Sequence, residues 1–424
     1  MRVALAAIVG ALALAGCGGT GETGASAAEV VRADAVGFLE VDADLGSEQW
    51  NQVQELLNRF PDRPQLIEKL NEELRKEGVE YERDVDPALG PTVAIVFPTS
   101  DDDEDAVLLT QPDDVDAWRS LVDKAAKAED EDYVLGEIDG WQAVAADQPA
   151  LDAVRNGGGS LEDNDAFQEA LGELPEERLA FGWADGTALR EVAQELKFEW
   201  FAGAIAAQED GAAATFVSRG GDVGTTYTSA RIDDAPSDAL AFLSFDADGI
   251  RAQASAIAPY AALLGLPLDD LLEQIRGEAA LWVRAGVGMP EITLVTDVAD
   301  ADRAQATLRT ILRDLPLELK LGVVDGHLVA TTASSPQAAL QSSESLGDSE
   351  DFKEAADVAG MPDETAGFLF VNVADALPLL ALAGLSGADV PEEILENVRP
   401  LGSIVAWNEA DGQQSTYHLF VQIQ

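Results

Sequence analysis

Apolar and polar positions along this chain change period repeatedly, from two to about 3.6 and back, so strand and helix patterns interleave. Val36 to Val41 alternates and carries Phe38, which predicts a strand. Asp44 or Ser47 then offers an oxygen to cap a helix in which Trp50, Val53, Leu57 and Phe60 share a face. A second helix follows Pro64, with Leu66, Leu70 and Leu74 as its stripe and Gly78 as its stop. Apolar runs over Thr92–Phe97 and Ala106–Thr110 predict strands, and Asp114–Lys127 predicts a helix turning Trp118, Leu121 and Val122 inward. Asp139-Gly140 lies between two apolar segments, a hairpin signal because a type I′ turn needs positive φ at both central residues. Two further helices, a strand and a closing hairpin complete this stretch.

The pattern then recurs in the same order. Asp34-Ala-Val-Gly-Phe-Leu-Glu-Val-Asp-Ala-Asp44 lines up with Asp238-Ala-Leu-Ala-Phe-Leu-Ser-Phe-Asp-Ala-Asp248. The Asp139-Gly140 turn lines up with Asp325-Gly326, Phe167-Gln-Glu-Ala170 with Phe352-Lys-Glu-Ala355, and Leu179–Trp183 with Gly367–Val371. Thr215–Ser218 with Thr225–Thr228 lines up with Ile404–Trp407 and Ser415–His418, read as closing hairpins, and Ile257, Leu263, Leu264 and Leu271 mark the second stretch's first helical region. The expected fold is α+β, built as two tandem, internally duplicated units over 30–234 and 235–424. Each is expected to be a mainly antiparallel sheet with helices packed on one face. The block Ala35-Val-Gly-Phe-Leu-Glu-Val-Asp, followed by Gln49 to Pro61, resembles the domain of unknown function 3352 family, whose bacterial members are commonly membrane-tethered. That resemblance implies the same fold and location and carries no site residue and no activity.

The start of the chain has a different character. Arg2 precedes an apolar run from Val3 to Ala15, too short to span a bilayer, and Leu14-Ala15-Gly16-Cys17 closes it as a lipobox. Residues 1–16 are expected to be a lipoprotein signal peptide, with Cys17, the one cysteine, acylated as the mature terminus. Each buried acyl methylene contributes about 0.8 kcal/mol, so two or three chains anchor stably. Residues 17–29, rich in Gly, Ser and Thr, are expected to form a flexible tether.

Charge narrows the partners. Against 26 Lys plus Arg stand 79 Asp plus Glu, a formal net of -53. Nucleic acid is excluded as a partner, because phosphate binding needs a basic surface, and adhesion to the membrane falls to the N-terminal acyl chains.

No catalytic, cofactor or metal constellation emerges: there is no serine elbow, phosphate loop or dinucleotide fingerprint, and the two histidines, His327 and His418, are not spaced as a metal pair. His327 is expected to be a strand residue after the Asp325-Gly326 turn. Asp42, Asp44, Asp246 and Asp248 follow strands and read as caps. The acidic runs Asp101–Asp105 and Glu129–Asp132 do not place calcium ligands at alternate positions around a glycine, and read as solvated loops. Two apolar stretches, Phe198–Phe201 and Ala376–Leu385, read either as buried helix or as the wall of an apolar groove formed by Phe198, Trp200, Phe201, Leu379, Leu380 and Leu382. The expected function is that of a lipid-anchored extracytoplasmic protein, non-enzymatic, binding a protein or an apolar ligand. A carrier of a cell-envelope lipid comes second and a carboxylate-based hydrolase last.

Overall fold

The computed structural model describes residues 26–76, 78–99, 106–155, 158–190, 197–220, 224–247, 249, 273, 275–286, 290–311, 319–377 and 392–424. Cys17, residues 17–25 of the tether, the Asp101–Asp105 run, Asp248, the Ile257–Leu271 region, and Leu379, Leu380 and Leu382 lie outside them. The tether's expected end at Glu29 is corrected, since Ala27 and Ala28 are buried in a core of the first unit. The chain divides into two compact units, the first ending at Gly220 and the second beginning at Gly221. The expected boundary at Asp234 falls later, because residues 227–234 pack within the second unit. There Tyr227 exchanges backbone hydrogen bonds with Thr365, and Arg231 reaches Asp297 at 3.0 Å.

In the first unit the elements run β1 (Gly37–Asp42), α1 (Glu48–Leu57), α2 (Arg63–Lys76), β2 (Thr92–Phe97), β3 (Val107–Thr110), α3 (Val115–Glu129), β4 (Val134–Ile138) and β5 (Trp141–Ala145). They continue with α4 (Gln148–Arg155), α5 (Asp165–Gly172), β6 (Ala180–Asp185), α6 (Gly186–Leu189), β7 (Trp200–Gln208) and β8 (Gly211–Arg219). The strands lie in the order β8-β7-β6-β1-β2-β3-β5-β4, every pair antiparallel.

Local chemistry sets the element ends. Ser47 accepts from the Trp50 N–H to cap α1, and Asp114 caps α3 through the N–H groups of Asp116 and Ala117. The β4–β5 turn takes positive φ at Asp139 (45°) and Gly140 (91°), as a type I′ turn requires.

Two cores form on opposite faces of this sheet. Phe38, Phe167, Phe181 and Trp183 join the first, with α4 and α5. Edge-on contacts at 5.8 Å between Phe38 and Phe167, and at 5.6 Å between Phe167 and Trp183, knit it together. Trp50, Leu74 and Trp118 from α1, α2 and α3 build the second. Val107 and Leu109 of β3 face the first core, while Leu108 between them faces the second. The expectation of helices on one face is therefore corrected. A strand such as β3, with all four residues buried, is covered on both sides and needs a helical layer on each. The closing hairpin is also corrected, from Thr215–Thr228 to β7–β8, which turns at Glu209-Asp210. Phe198–Phe201 leads into β7 rather than forming a helix.

In the second unit the elements run β9 (Ala239–Asp246), β10 (Ile275–Arg284), β11 (Glu291–Val298), α7 (Ala301–Ile311), β12 (Lys320–Val324), β13 (His327–Thr331) and α8 (Pro336–Ala339). They continue with α9 (Glu350–Ala359), β14 (Gly367–Asn372), α10 (Glu392–Val398), β15 (Leu401–Asp411) and β16 (Gln414–Ile423). The strand order is β16-β15-β14-β9-β10-β11-β13-β12, again antiparallel. Again both faces carry cores: Val329 joins Phe242, Trp282 and Phe370 on one, while Leu328 and Ala330 meet Ala304 and Leu308 of α7 on the other.

Candidate functional site: an apolar trough over β6

On β6 to β8 the second face of the first unit's sheet carries none of the second core's buried residues. What stands there follows from register. Gly37, Ala184, Phe201 and Ser218 lie in one cross-strand row, Leu39, Gly182, Gly203 and Phe216 in the next, and Val41, Ala180, Ile205 and Ala214 in a third. β6 thus contributes only Ala180, Gly182 and Ala184 to this face. The large side chains stand to either side, Leu39 on β1 and Phe201, Ile205 and Phe216 on β7 and β8. The result is a trough of about 520 Å³ along β6, with Phe97 and Leu189 also in its lining. Thr99 brings the sole polar side chain of the lining, which contains no charged residue.

Its wall is unusually exposed for apolar groups: Ile205 at 50%, Phe216 at 38% and Phe201 at 37%. The Phe201 and Phe216 rings stack with centroids 6.1 Å apart, and Phe198 meets Phe201 at 6.1 Å. Gly203 is required by this arrangement, since a Cβ there would lie 2.6 Å from the Phe216 ring. At one end Gln49 of α1 closes the sheet: its side-chain amide donates to the Ala207 carbonyl at 3.1 Å and accepts from the Ala207 N–H at 2.8 Å.

Of the groove residues expected from sequence, Phe201 lines the trough. Phe198 supports Phe201 from a half-buried position, its ring and carbonyl pressed against Gly186. Trp200 is corrected: it is 1% exposed and belongs to the first core, because alternation along β7 sends it to the face opposite Phe201. Sequence reasoning missed Leu39, Gly182, Gly203, Ile205 and Phe216. The signal was in β7 itself, where both alternating sets are apolar or small, Trp200, Ala202 and Ala204 on one side and Phe201, Gly203 and Ile205 on the other.

The titratable groups sit elsewhere, each with a local task. Burial raises the carboxyl of Glu40 above the usual carboxylate range, although Ser26 Oγ and the Ala27 N–H donate to it at 2.9 Å. Burial also raises Asp42, which accepts from Ser47 Oγ at 2.6 Å and the Asp44 N–H at 2.9 Å. A polar cleft of about 430 Å³ beside α5 and α6 contains Asp165, Glu169, Asp185 and Glu199. Within it Asp185 caps α6, and Arg219 pairs with Glu169 and Glu199. His327 opens β13, as expected from the turn before it, and contacts Asp297 and Arg231. His418 stacks on Trp407 at 4.6 Å and faces Glu409, and burial lowers the pKa of its imidazole. Among the described residues no group of three or more His, Cys, Asp or Glu side chains is arranged to hold a metal ion. No helix among them is long and apolar enough to cross a membrane.

No family model and no curated protein matches the chain. Crystal form III of TP0453 is similar at 9% identity over 48% of this chain and 82% of that one, with a TM-score of 0.25. Crystal form I of TP0453 is similar at 11% identity over 75% and 98%, with a TM-score of 0.19.

Proposed function

We propose that this chain is a lipid-anchored extracytoplasmic binding protein without enzymatic activity, held to the membrane by acyl chains on Cys17, and that the apolar trough of its first unit is its binding surface. The observation that carries the reading is the exposed row of Phe201, Ile205 and Phe216 beside a floor of Ala180, Gly182 and Ala184. Soluble proteins seldom leave contiguous apolar surface uncovered unless something binds there. The lipobox Leu14-Ala15-Gly16-Cys17 and the Gly-rich tether behind it support the anchor. The net charge of -53 argues against nucleic acid as the partner.

The same proposal includes descent of the two units from one duplicated ancestor. Matching strand orders support this, and so do small devices that recur at matching places. The Leu161 N–H donates to the Val31 carbonyl in the first unit, and the Leu346 N–H to the Ala235 carbonyl in the second. Ser160 bonds Asp163 in the first, and Ser345 bonds Asp348 in the second.

The reading is tested with a photoreactive benzoylphenylalanine in place of Ile205, in cells making the lipidated chain. Irradiation is expected to give a discrete adduct. The same group in place of Val323, an exposed β12 residue, serves as the control. Adducts no stronger at Ile205 than at Val323 would end the proposal.

A further inference from the structure

We propose that the trough over β6 holds one acyl chain of a membrane lipid, laid along the strand between Leu39 on one side and Phe201, Ile205 and Phe216 on the other. The inference rests on the trough being a binding surface and names its occupant.

Three features select hydrocarbon. First, the lining is uncharged in a protein of net charge -53, with the Thr99 hydroxyl as its one polar side chain. A polar occupant would leave its hydrogen-bonding groups unmatched there, at a desolvation cost that an alkyl chain does not incur. Secondly, β6 pairs with β1 on one side and β7 on the other, so its backbone N–H and C=O groups are engaged. A peptide cannot add to it as a further strand, which is how extended peptides gain affinity on sheets. Thirdly, the dimensions fit. The six residues of β6, at about 3.3 Å each, extend roughly 20 Å, and one leaflet of a hydrocarbon core about 30 Å thick is roughly 15 Å deep. A volume of about 520 Å³ lies within the range of small-molecule sites.

The floor is the specificity element. Side chains larger than Ala at 180, 182 or 184 would occupy the path of the chain. At Gly182 an added Cβ meets Leu39 Cδ1 and the Phe38 carbonyl at 3.6 Å, an ordinary contact, so Gly182→Leu fills the trough without displacing the backbone.

The test uses the full chain with Cys17→Ser, which carries no anchor, mixed with vesicles of phosphatidylcholine bearing a diazirine on one acyl chain. After irradiation, adducts are expected on Leu39, Phe201, Ile205 and Phe216. Gly182→Leu should reduce them about tenfold, equivalent to losing the burial of roughly two methylenes. Ile205→Glu, at a half-exposed position, should do the same with folding undisturbed. Adducts that are absent, scattered over the surface, or undiminished in both variants overturn the proposal. So does a lipidated chain that resists labelling while the Cys17→Ser chain is labelled, since its own anchor would then fill the trough. A polypeptide adduct at Ile205 in cells, without vesicle labelling, removes the lipid and leaves the binding surface standing. Failure of both experiments removes both.

Discussion

Glu40 faces the first core from β1, and its Oε2 ties down the chain's approach to the sheet by accepting from Ser26 Oγ and the Ala27 N–H. Burial outweighs these bonds and raises its pKa, so the native state holds the proton more tightly than the unfolded chain does. The contribution of this group to stability therefore falls as pH rises from the ordinary carboxylate range through the raised native value, and is flat above it. Glu40→Gln keeps an acceptor for Ser26 and Ala27 and removes the charge. Relative to the parent chain it is expected to gain stability between pH 4 and pH 7, measured as the difference in urea midpoint at each pH. A gain that is the same at both values would show that the carboxyl is not perturbed. His418 runs the other way. Burial lowers its pKa, so its contribution is present above the ordinary imidazole value and is lost as pH falls. It is common to both chains and cancels in the comparison.

Elements differ in how openly the sequence declares them. The Asp139-Gly140 and Asp325-Gly326 hairpins were legible because positive φ at paired positions admits few residue types. The cap at Ser47 and the inward stripe of α3 were legible because periodicity and capping are local. β7 and β8 were not. Their run Ala202-Gly-Ala-Ile-Ala-Ala207 and Ala212-Ala-Ala214 lacks the β-branched and aromatic density that marks strands, and only pairing across the sheet makes it one. The trough was hidden for the same reason, since it is made by Gly182, Gly203 and the alanines of β6, residues notable for what they leave empty. Gln49 shows how such a pair is held in place. Beyond Ala180, where β6 stops, it bonds both backbone groups of Ala207 from α1. Gln49→Ala leaves that N–H and C=O unpaired in a buried setting, and is expected to cost about 2 kcal/mol. Hydrogen exchange at the Ala207 amide reads it directly: protection should fall there while the amides of β2 and β3 are unchanged. Equal protection in both proteins would mean that water replaces the glutamine without loss.

At the scale of the whole molecule, the two helical layers of each unit explain how a sheet with so many apolar positions stays covered, and where it does not. The second core reaches β2 at Val93, and the open face begins on β1, where Leu39 already lines the trough. No local pattern announces that limit, because it depends on where α1, α2 and α3 come to rest. The chain as a whole sets 79 acids against 26 bases. Pairs such as Lys124 with Asp84 at 2.6 Å and Arg284 with Glu291 at 2.6 Å use cations that are in short supply. Folding gathers the excess carboxylates into a smaller volume, so mutual repulsion is greater in the native state than in the extended chain. Salt relieves it. The screening length falls from about 30 Å at 0.01 M to about 3 Å at 1 M, which removes repulsion between neighbouring acids while weakening the fewer exposed ion pairs, each contributing roughly 1 kcal/mol or less. The thermal midpoint is therefore expected to rise by about 5 °C between 0.01 M and 1 M sodium chloride at pH 7, a change corresponding to roughly 1–2 kcal/mol for a unit of this size. Scanning calorimetry at four concentrations checks it, and a midpoint that falls with salt would mean that the pairs outweigh the repulsion. Repeating the series at pH 5 separates the two effects further. Protonating part of the carboxylate excess should then reduce the salt-induced rise, whereas a purely Hofmeister-type response to chloride would leave it unchanged.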